Sequence, residues 1–127
     1  MRRGTATTSE LLQAHLPGSR VVEVLTNIYV EHLGSQARPS GAPDRSALAV
    51  AGDDADAKAT VAALLDEIGY DTYDLGPLAE GWRTQRDTAA YAAMYAADPE
   101  DWSKGPRQVT AGTIAGKAAE AQRYRGM

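Results

Sequence analysis

The chain has no cysteine and no phenylalanine, and it has only two histidines among 127 residues. Without cysteine there can be no disulfide, no thiolate nucleophile and no cysteine-ligated zinc. No apolar run approaches the length of a membrane span, and polar residues follow Met1-Arg2-Arg3 where a signal peptide would have its apolar core. A net charge of -4 offers no basic surface for nucleic acid. The sequence therefore predicts no membrane or nucleic-acid partner and a cytoplasmic location.

The sequence also lacks any G-x-G, so the glycine-rich fingerprint of dinucleotide-binding folds is missing. One tight turn, Gly52-Asp53-Asp54, does lead from a strand pattern into a helix pattern. Its acids, with Asp56, place negative charge at the helix N-terminus, where a pyrophosphate would otherwise bind. We expect these acids to cap the helix, and we predict no cofactor-binding or metal-binding residue in the chain.

The clearest pattern in the chain is a strand, a helix and a second strand joined by tight turns. The segment 46–51 is a buried strand pattern, and 55–68 has Val61, Leu64, Leu65 and Ile68 at helical spacing. Gly69 is a helix stop, and 70–75 is the second strand. This βαβ unit predicts an α/β fold with a mainly parallel sheet, and the apolar run 20–26 predicts a further strand. Residues 1–127 are expected to form a single domain in which 82–127 is a helical extension.

Three predicted strands give three strand ends. In open α/β sheets, ligands bind beyond the carboxyl ends of the strands. If all three strands are parallel, Thr26 and Asn27 would share one edge with Pro77 and Leu78, and the four residues are the candidate substrate-binding set. The first pair could hydrogen-bond a ligand, and the second could form an apolar surface for a planar ring. From spacing alone, a purely structural role as turn residues is favoured over ligand binding.

The histidines and the large aromatic residues are weaker candidates. His15 and His32 lie in helical patterns and have no metal-binding spacing, so packing is favoured over catalysis. Trp82, Tyr91, Tyr95 and Trp102 are interpreted as packing or interface residues. No catalytic residue is identified.

Several segments resemble a known family. They are SELLQAHLPGSRVV, NIYVEHL, ALAVAGDDADAKATVAALLDEIGYDTYDLGPLAEG, DPEDWSKGPRQV and QRYRGM. Together they resemble the C-terminal portion of the NADPH-dependent deazaflavin (coenzyme F-420) reductases, which are predicted NADP-dinucleotide-binding oxidoreductases. The resemblance implies a partial Rossmann-like fold, hydride transfer between NADP(H) and a deazaflavin or similar acceptor, and a homodimer.

The chain departs from the family pattern in two places. The first half of the family's domain, which carries the glycine-rich loop, is absent from these residues. After the first strand the family reads K-A-F-N-T, whereas this chain has Glu23-Val24-Leu25-Thr26-Asn27. The leading interpretation is an NADP-dependent oxidoreductase that needs a missing N-terminal half and is inactive alone. The alternatives are a non-catalytic truncated oligomerisation module and an unrelated small-molecule-binding α/β domain. Both the oxidoreductase interpretation and the truncated module predict a homo-oligomer or a complex with the missing half.

Overall fold

A computed structural model describes residues 6–85 and 88–122. Its α-helices are α1 Thr8–His15, α2 Val30–Gln36, α3 Ala55–Ile68 and α4 Ala111–Glu120. Its strands are β1 Val22–Val24, β2 Ala47–Gly52 and β3 Asp71–Gly76. Three short 3-10 helices span Leu78–Thr84, Ala92–Tyr95 and Trp102–Lys104. In the part of the chain that the structure describes, no helix has the length and apolar character to cross a bilayer.

The βαβ unit is present as predicted. β2 and β3 pair in parallel, with Ala47 beside Asp71 and Val50 beside Asp74. The Asp54 side chain accepts a hydrogen bond from the Ala57 amide and so caps α3 at its N-terminus. Gly69 ends the helix in the left-handed conformation with a φ of 114°, which only glycine adopts at little cost. The fold class, α/β, is therefore confirmed.

β1 runs antiparallel to β2, so the sheet is mixed and has the order β1-β2-β3. A parallel neighbour needs a connection that crosses over a face of the sheet. The connection after β1 instead stays near the start of β2, where the Gln36 side chain accepts a hydrogen bond from the Ser46 hydroxyl. The expectation that three carboxyl ends share one edge is therefore wrong for β1, whose carboxyl end lies away from those of β2 and β3.

The core is built on β2, all of whose residues are buried. Side chains alternate along β3: Thr72 and Asp74 lie on the face covered by α3, whereas Tyr73 and Leu75 lie on the face covered by α4. On the inner side of the fold the buried Tyr95 hydroxyl donates to the Ala47 carbonyl oxygen at 2.7 Å. Burial raises the pKa of this phenol above its ordinary value.

The apolar face predicted for α3 is only partly correct. Leu65 is 4% exposed and belongs to the core, and Val61 packs against that core. Leu64 and Ile68 are 56% and 53% exposed, so the prediction that Leu64 packs where α3 meets the sheet is wrong. The physical reason is that neighbouring positions are 100° apart on a helix, and a three-stranded sheet covers a narrow strip of α3.

Candidate functional site

The 3-10 helix Leu78–Thr84 positions the candidate site. A 3-10 helix has three residues per turn, so residues three apart lie above one another on one side. One row, Leu78, Gly81 and Thr84, is buried against the sheet. The adjacent row, formed by Pro77, Glu80 and Arg83, faces a groove beside α4. The periodicity of this short element thus separates core residues from groove residues.

The groove has a volume of about 540 Å³, which is within the range of small-molecule sites. β3, the 78–84 helix and α4 form its walls. Its lining residues are Tyr73, Leu75, Pro77, Glu80, Arg83, Ala115, Ala118 and Ala119. The space exists because α4 presents alanines at positions where larger side chains would fill it. An apolar floor with a phenol and one ion pair at its rim suits a flat ring that carries a polar or charged substituent.

Arg83 is the cationic group of the groove. Its Nε donates to Glu80 Oε2 at 2.6 Å, and one of its terminal nitrogens donates to the Ala118 carbonyl oxygen at 2.9 Å. Its guanidinium carbon also lies 4.5 Å from the centre of the Trp82 ring, which is cation–π distance. These contacts hold the guanidinium at the wall and join the 78–84 helix to α4.

The side chains at the carboxyl ends of β2 and β3 already form bonds within the protein. Asp53 accepts a hydrogen bond from the Leu78 amide at 2.9 Å. Lys58 Nζ lies 3.0 Å from both carboxylate oxygens of Asp74. Asp54 is committed to capping α3. The place where α/β sheets usually bind ligands is therefore occupied here by bonds within the protein, with an acidic helix N-terminus that does not suit a phosphate.

A second polar cluster, missed by the sequence analysis, surrounds Glu23. Its Oε2 accepts a hydrogen bond from Ser9 at 2.6 Å, and its Oε1 is 3.3 Å from the Thr26 hydroxyl and 3.5 Å from the Thr84 hydroxyl. A Cβ on Gly81 would lie 2.5 Å from Oε2, so a larger residue at this position would displace the carboxylate from its hydrogen bonds. The cluster links α1, the end of β1 and the 78–84 helix. A single acid within an apolar strand pattern was its only sequence signal.

The four predicted substrate-binding residues lie in different environments. Thr26 and Pro77 are exposed, and Pro77 lines the groove. Asn27 is fully buried, and its Nδ2 donates to the Ala90 carbonyl oxygen at 3.0 Å. Leu78 is fully buried in the core. The structure does not bring the four side chains onto one shelf, although the Glu23 cluster connects the Thr26 turn to the 78–84 helix. Their part in ligand binding stays a prediction.

The two histidines also differ. His15 is exposed, whereas His32 is buried and its Nε2 lies 3.2 Å from the Trp102 carbonyl oxygen. Tyr29 meets the His32 ring edge-on with centroids 5.1 Å apart. His32 thereby joins α2 to the segment around Trp102 as a packing residue. Among the described residues, no group of three or more histidines and acids is arranged to hold a metal ion.

Comparison with solved structures gives an informative similarity. No protein-family model matches the chain, and no curated protein matches it. The fold is similar to the crystal structure of a protein from Arthrobacter sp. FB24 that is provisionally named an F-420-dependent NADP reductase, with a TM-score of 0.52 and 33% sequence identity. The match covers 61% of this chain and 35% of that one. The chain thus spans about a third of the length of that α/β protein.

Proposed function

We propose that this chain is part of an NADP-dependent oxidoreductase that transfers hydride between NADPH and a deazaflavin or a similar acceptor. The observation that carries the proposal is the similarity to the Arthrobacter protein in both structure and sequence. The segments that resemble the deazaflavin reductases, above all GDDADAKATVAALLDEIGYD through GPLAEG, support the same assignment. When bound, NADPH supplies the hydride and the deazaflavin ring takes it up.

We assign the acceptor to the groove beside α4. Tyr73, Leu75 and Pro77 offer apolar contact for a flat ring system, and the alanines of α4 leave depth for it. The ion pair of Arg83 and Glu80 supplies polar groups for a polar substituent of the acceptor. Leu78, beneath Pro77, would hold the turn in place from the core.

The turn on the other side of the 78–84 helix has a supporting part in this proposal. Thr26 is accessible to a ligand, and Glu23 orients its hydroxyl. Asn27 anchors the turn, because its backbone carbonyl oxygen accepts the Ala92 amide at 2.7 Å in addition to the side-chain bond to Ala90. The candidate set thus divides into Pro77, which lines the groove, Thr26, which is exposed outside it, and the buried Asn27 and Leu78, which would fix the backbone.

The described residues do not fit NADP. The one turn that leads from a strand into a long helix carries Asp53 and Asp54, and both carboxylates accept backbone hydrogen bonds. A pyrophosphate at this helix N-terminus would meet negative charge instead of free amides. NADP binding is therefore assigned to polypeptide outside these 127 residues, and this chain alone is expected to have no reductase activity.

Binding measurements test the two halves of the proposal separately. Coenzyme F-420 and NADPH are titrated against the chain by calorimetry. We expect F-420 to bind and NADPH not to bind. Ala115→Leu, which fills the groove, should weaken F-420 binding at least tenfold, whereas Ala63→Leu on the exposed side of α3 should not. A micromolar NADPH dissociation constant, near -8 kcal/mol, would contradict the cofactor assignment. Absence of F-420 binding would contradict the groove assignment.

A non-catalytic oligomerisation module is the second candidate function. It is favoured by the unusual number of large apolar side chains on the surface of the described part of the chain. This candidate predicts that neither F-420 nor NADPH binds and that the chain self-associates. The titrations above distinguish the two candidates, because only the oxidoreductase proposal requires a ligand in the groove.

A further inference from the structure

The groove beside α4 contains one charge of each sign. Among the described residues that line it, Glu80 and Arg83 are the charged ones, and their side chains are 37% and 31% exposed. Both can therefore be reached by a ligand while they bond to each other. A phosphate or carboxylate in the groove would be repelled by Glu80 as well as attracted by Arg83. The groove thus favours a neutral ligand that carries both hydrogen-bond donors and acceptors.

The guanidinium of Arg83 is fixed from three sides. Its Nε donates to Glu80 Oε2, its Nη1 donates to the Ala118 carbonyl oxygen, and its plane lies near the Trp82 ring. In the part of the chain that the structure describes, Nη2 donates to no protein acceptor. Because every nitrogen of a guanidinium carries N–H groups, Nη2 offers a donor whose position is set before a ligand arrives.

Glu80 offers an acceptor close to this donor. Its Oε2 accepts from Arg83 Nε at 2.6 Å, and its Oε1 has no hydrogen-bond donor among the described residues. An ionised carboxylate can accept several hydrogen bonds on its two oxygens. Since the two side chains lie one turn apart on the 78–84 helix and bond to each other, the unused acceptor and the unused donor belong to one small, rigid unit.

We infer that Glu80 and Arg83 recognise the amide edge of a neutral, flat heterocycle. Glu80 accepts a ring N–H, and Arg83 donates to the neighbouring ring carbonyl oxygen. A cyclic imide or lactam presents these two groups on adjacent ring atoms and in the plane of the ring. The side chains of Tyr73, Leu75 and Pro77 then contact the apolar part of the ring system.

This inference rests on the proposed function and makes it more specific. The dione ring of a deazaflavin has an N–H between two carbonyl groups, so it matches the donor and acceptor of the ion pair. The inference assigns the selection of the acceptor to two residues and to one edge of the ring. The charged substituents of a larger acceptor make no contribution to this selection.

Two ligands that differ at one ring atom test the inference. 5-Deazariboflavin has the ring N–H and no charged tail, and its N3-methyl derivative has a methyl group in place of that hydrogen. Both are titrated against the 127-residue chain by fluorescence. We expect methylation to weaken binding at least tenfold, because it removes the donor and leaves the Glu80 carboxylate desolvated without a partner.

Substitutions in the ion pair distinguish recognition from a structural role. Glu80→Gln should weaken 5-deazariboflavin binding at least tenfold and should remove the difference between the two ligands. Arg83→Lys keeps the charge but lacks the planar donors, so it should weaken both ligands by a similar factor. The matched control is Glu120→Gln, which removes the acid of another i,i+3 ion pair, with Lys117, outside the groove. It should change neither affinity, and circular dichroism verifies that all variants keep the helix content of the parent.

Four results would overturn the inference. Equal affinities of the parent for the two ligands would show that the edge is not read, and the proposed function would stand. A Glu80→Gln variant that still discriminates would place N–H recognition elsewhere. Unchanged affinities in Arg83→Lys would remove Arg83 from the site. Binding of neither ligand would also contradict the inference, and the F-420 titration would then show whether the groove assignment fails with it.

Discussion

The two edges of the three-stranded sheet differ in length, charge and surroundings. β3 has six residues, and the side chains of Asp71 and Asp74 on it are 58% and 56% exposed. Its pairing with β2 is interrupted by an irregularity between Val50 and Ala51. β1 has three residues, turns its acid inwards and is flanked by exposed leucines.

Exposed charges and bulges are the features by which natural sheets prevent another strand from pairing at an edge. β3 has both features, so its outer edge is protected against pairing with another strand. β1 has neither feature on its free side, and contact of the apolar side chains around it with water is unfavourable. The comparison indicates that β1 is the less protected of the two sheet edges in the described part of the chain.

The largest change in the free energy of unfolding is expected in the core that packs against the sheet. Leu65→Ala should lower the free energy of unfolding by about 2–5 kcal/mol, because it leaves a cavity between α3 and the sheet. Leu64→Ala removes the same atoms from an exposed position and should change it by only about 0.5 kcal/mol in the monomer. Urea denaturation measures both variants. Equal losses would show that Leu65 is not more deeply buried than Leu64.

A smaller effect is expected where Glu23 is turned away from the β1 edge. Gly81→Ala places a Cβ 2.5 Å from Glu23 Oε2 and should destabilise the chain by about 1–2 kcal/mol, because the displaced carboxylate loses hydrogen bonds such as that from Ser9. Adding Glu23→Ala to this variant should recover part of the loss, because the clash disappears. Gly116→Ala in α4, where the new Cβ meets nothing within 4 Å, is the control and should be neutral or stabilising. Additive effects of the two substitutions at Gly81 and Glu23 would argue against the contact.

Removing the exposed charges on β3 tests whether they prevent another strand from pairing at that edge. Asp71→Thr/Asp74→Thr removes the exposed acids of this edge and should raise self-association about tenfold, which is about 1.4 kcal/mol. Light scattering against concentration measures the change. Glu67→Gln/Glu100→Gln removes two exposed acids away from the edge and serves as the control. If both double variants associate equally, net charge and not the β3 edge explains solubility.

Effects of a similar size or smaller are expected at the helix caps on the two sides. Thr7 caps α1, and its buried hydroxyl also donates to the Leu78 carbonyl oxygen at 3.1 Å. Thr110 caps α4 from an exposed position. We expect a loss of about 1–2 kcal/mol for Thr7→Ala and of about 0.5–1 kcal/mol for Thr110→Ala. Thermal denaturation ranks the two variants, and the reverse order would mean that α1 is not fastened to the 78–84 helix.

Local patterns predicted the βαβ unit well because its signals are local. The predicted helix 55–68 has the observed bounds, and Gly69 ends it as expected. The predicted strands 46–51 and 70–75 each start one residue before β2 and β3. The direction of β1 was not predictable in this way, since it is set by the pairing of Val22–Val24 with Val50–Gly52, which joins residues far apart in sequence.

The candidate site was predicted less well than the fold. Turn residues such as Asn27 and Leu78 look available for a ligand in the sequence, yet both are buried. The groove depends on three alanines of α4 that meet β3 from the other end of the chain, and no local spacing indicates that meeting. The Glu23 cluster gathers hydroxyls from three elements for the same reason.

The 3-10 geometry of residues 78–84 has a thermodynamic consequence. One row of this helix borders the groove, and the next row contacts Glu23 beside β1. A ligand in the groove and a partner at the β1 edge would therefore act on the same short helix. If either one shifts that helix, the ligand must change the affinity for the partner by the same factor as the partner changes the affinity for the ligand. Measuring F-420 affinity with and without a partner at that edge would give this coupling free energy.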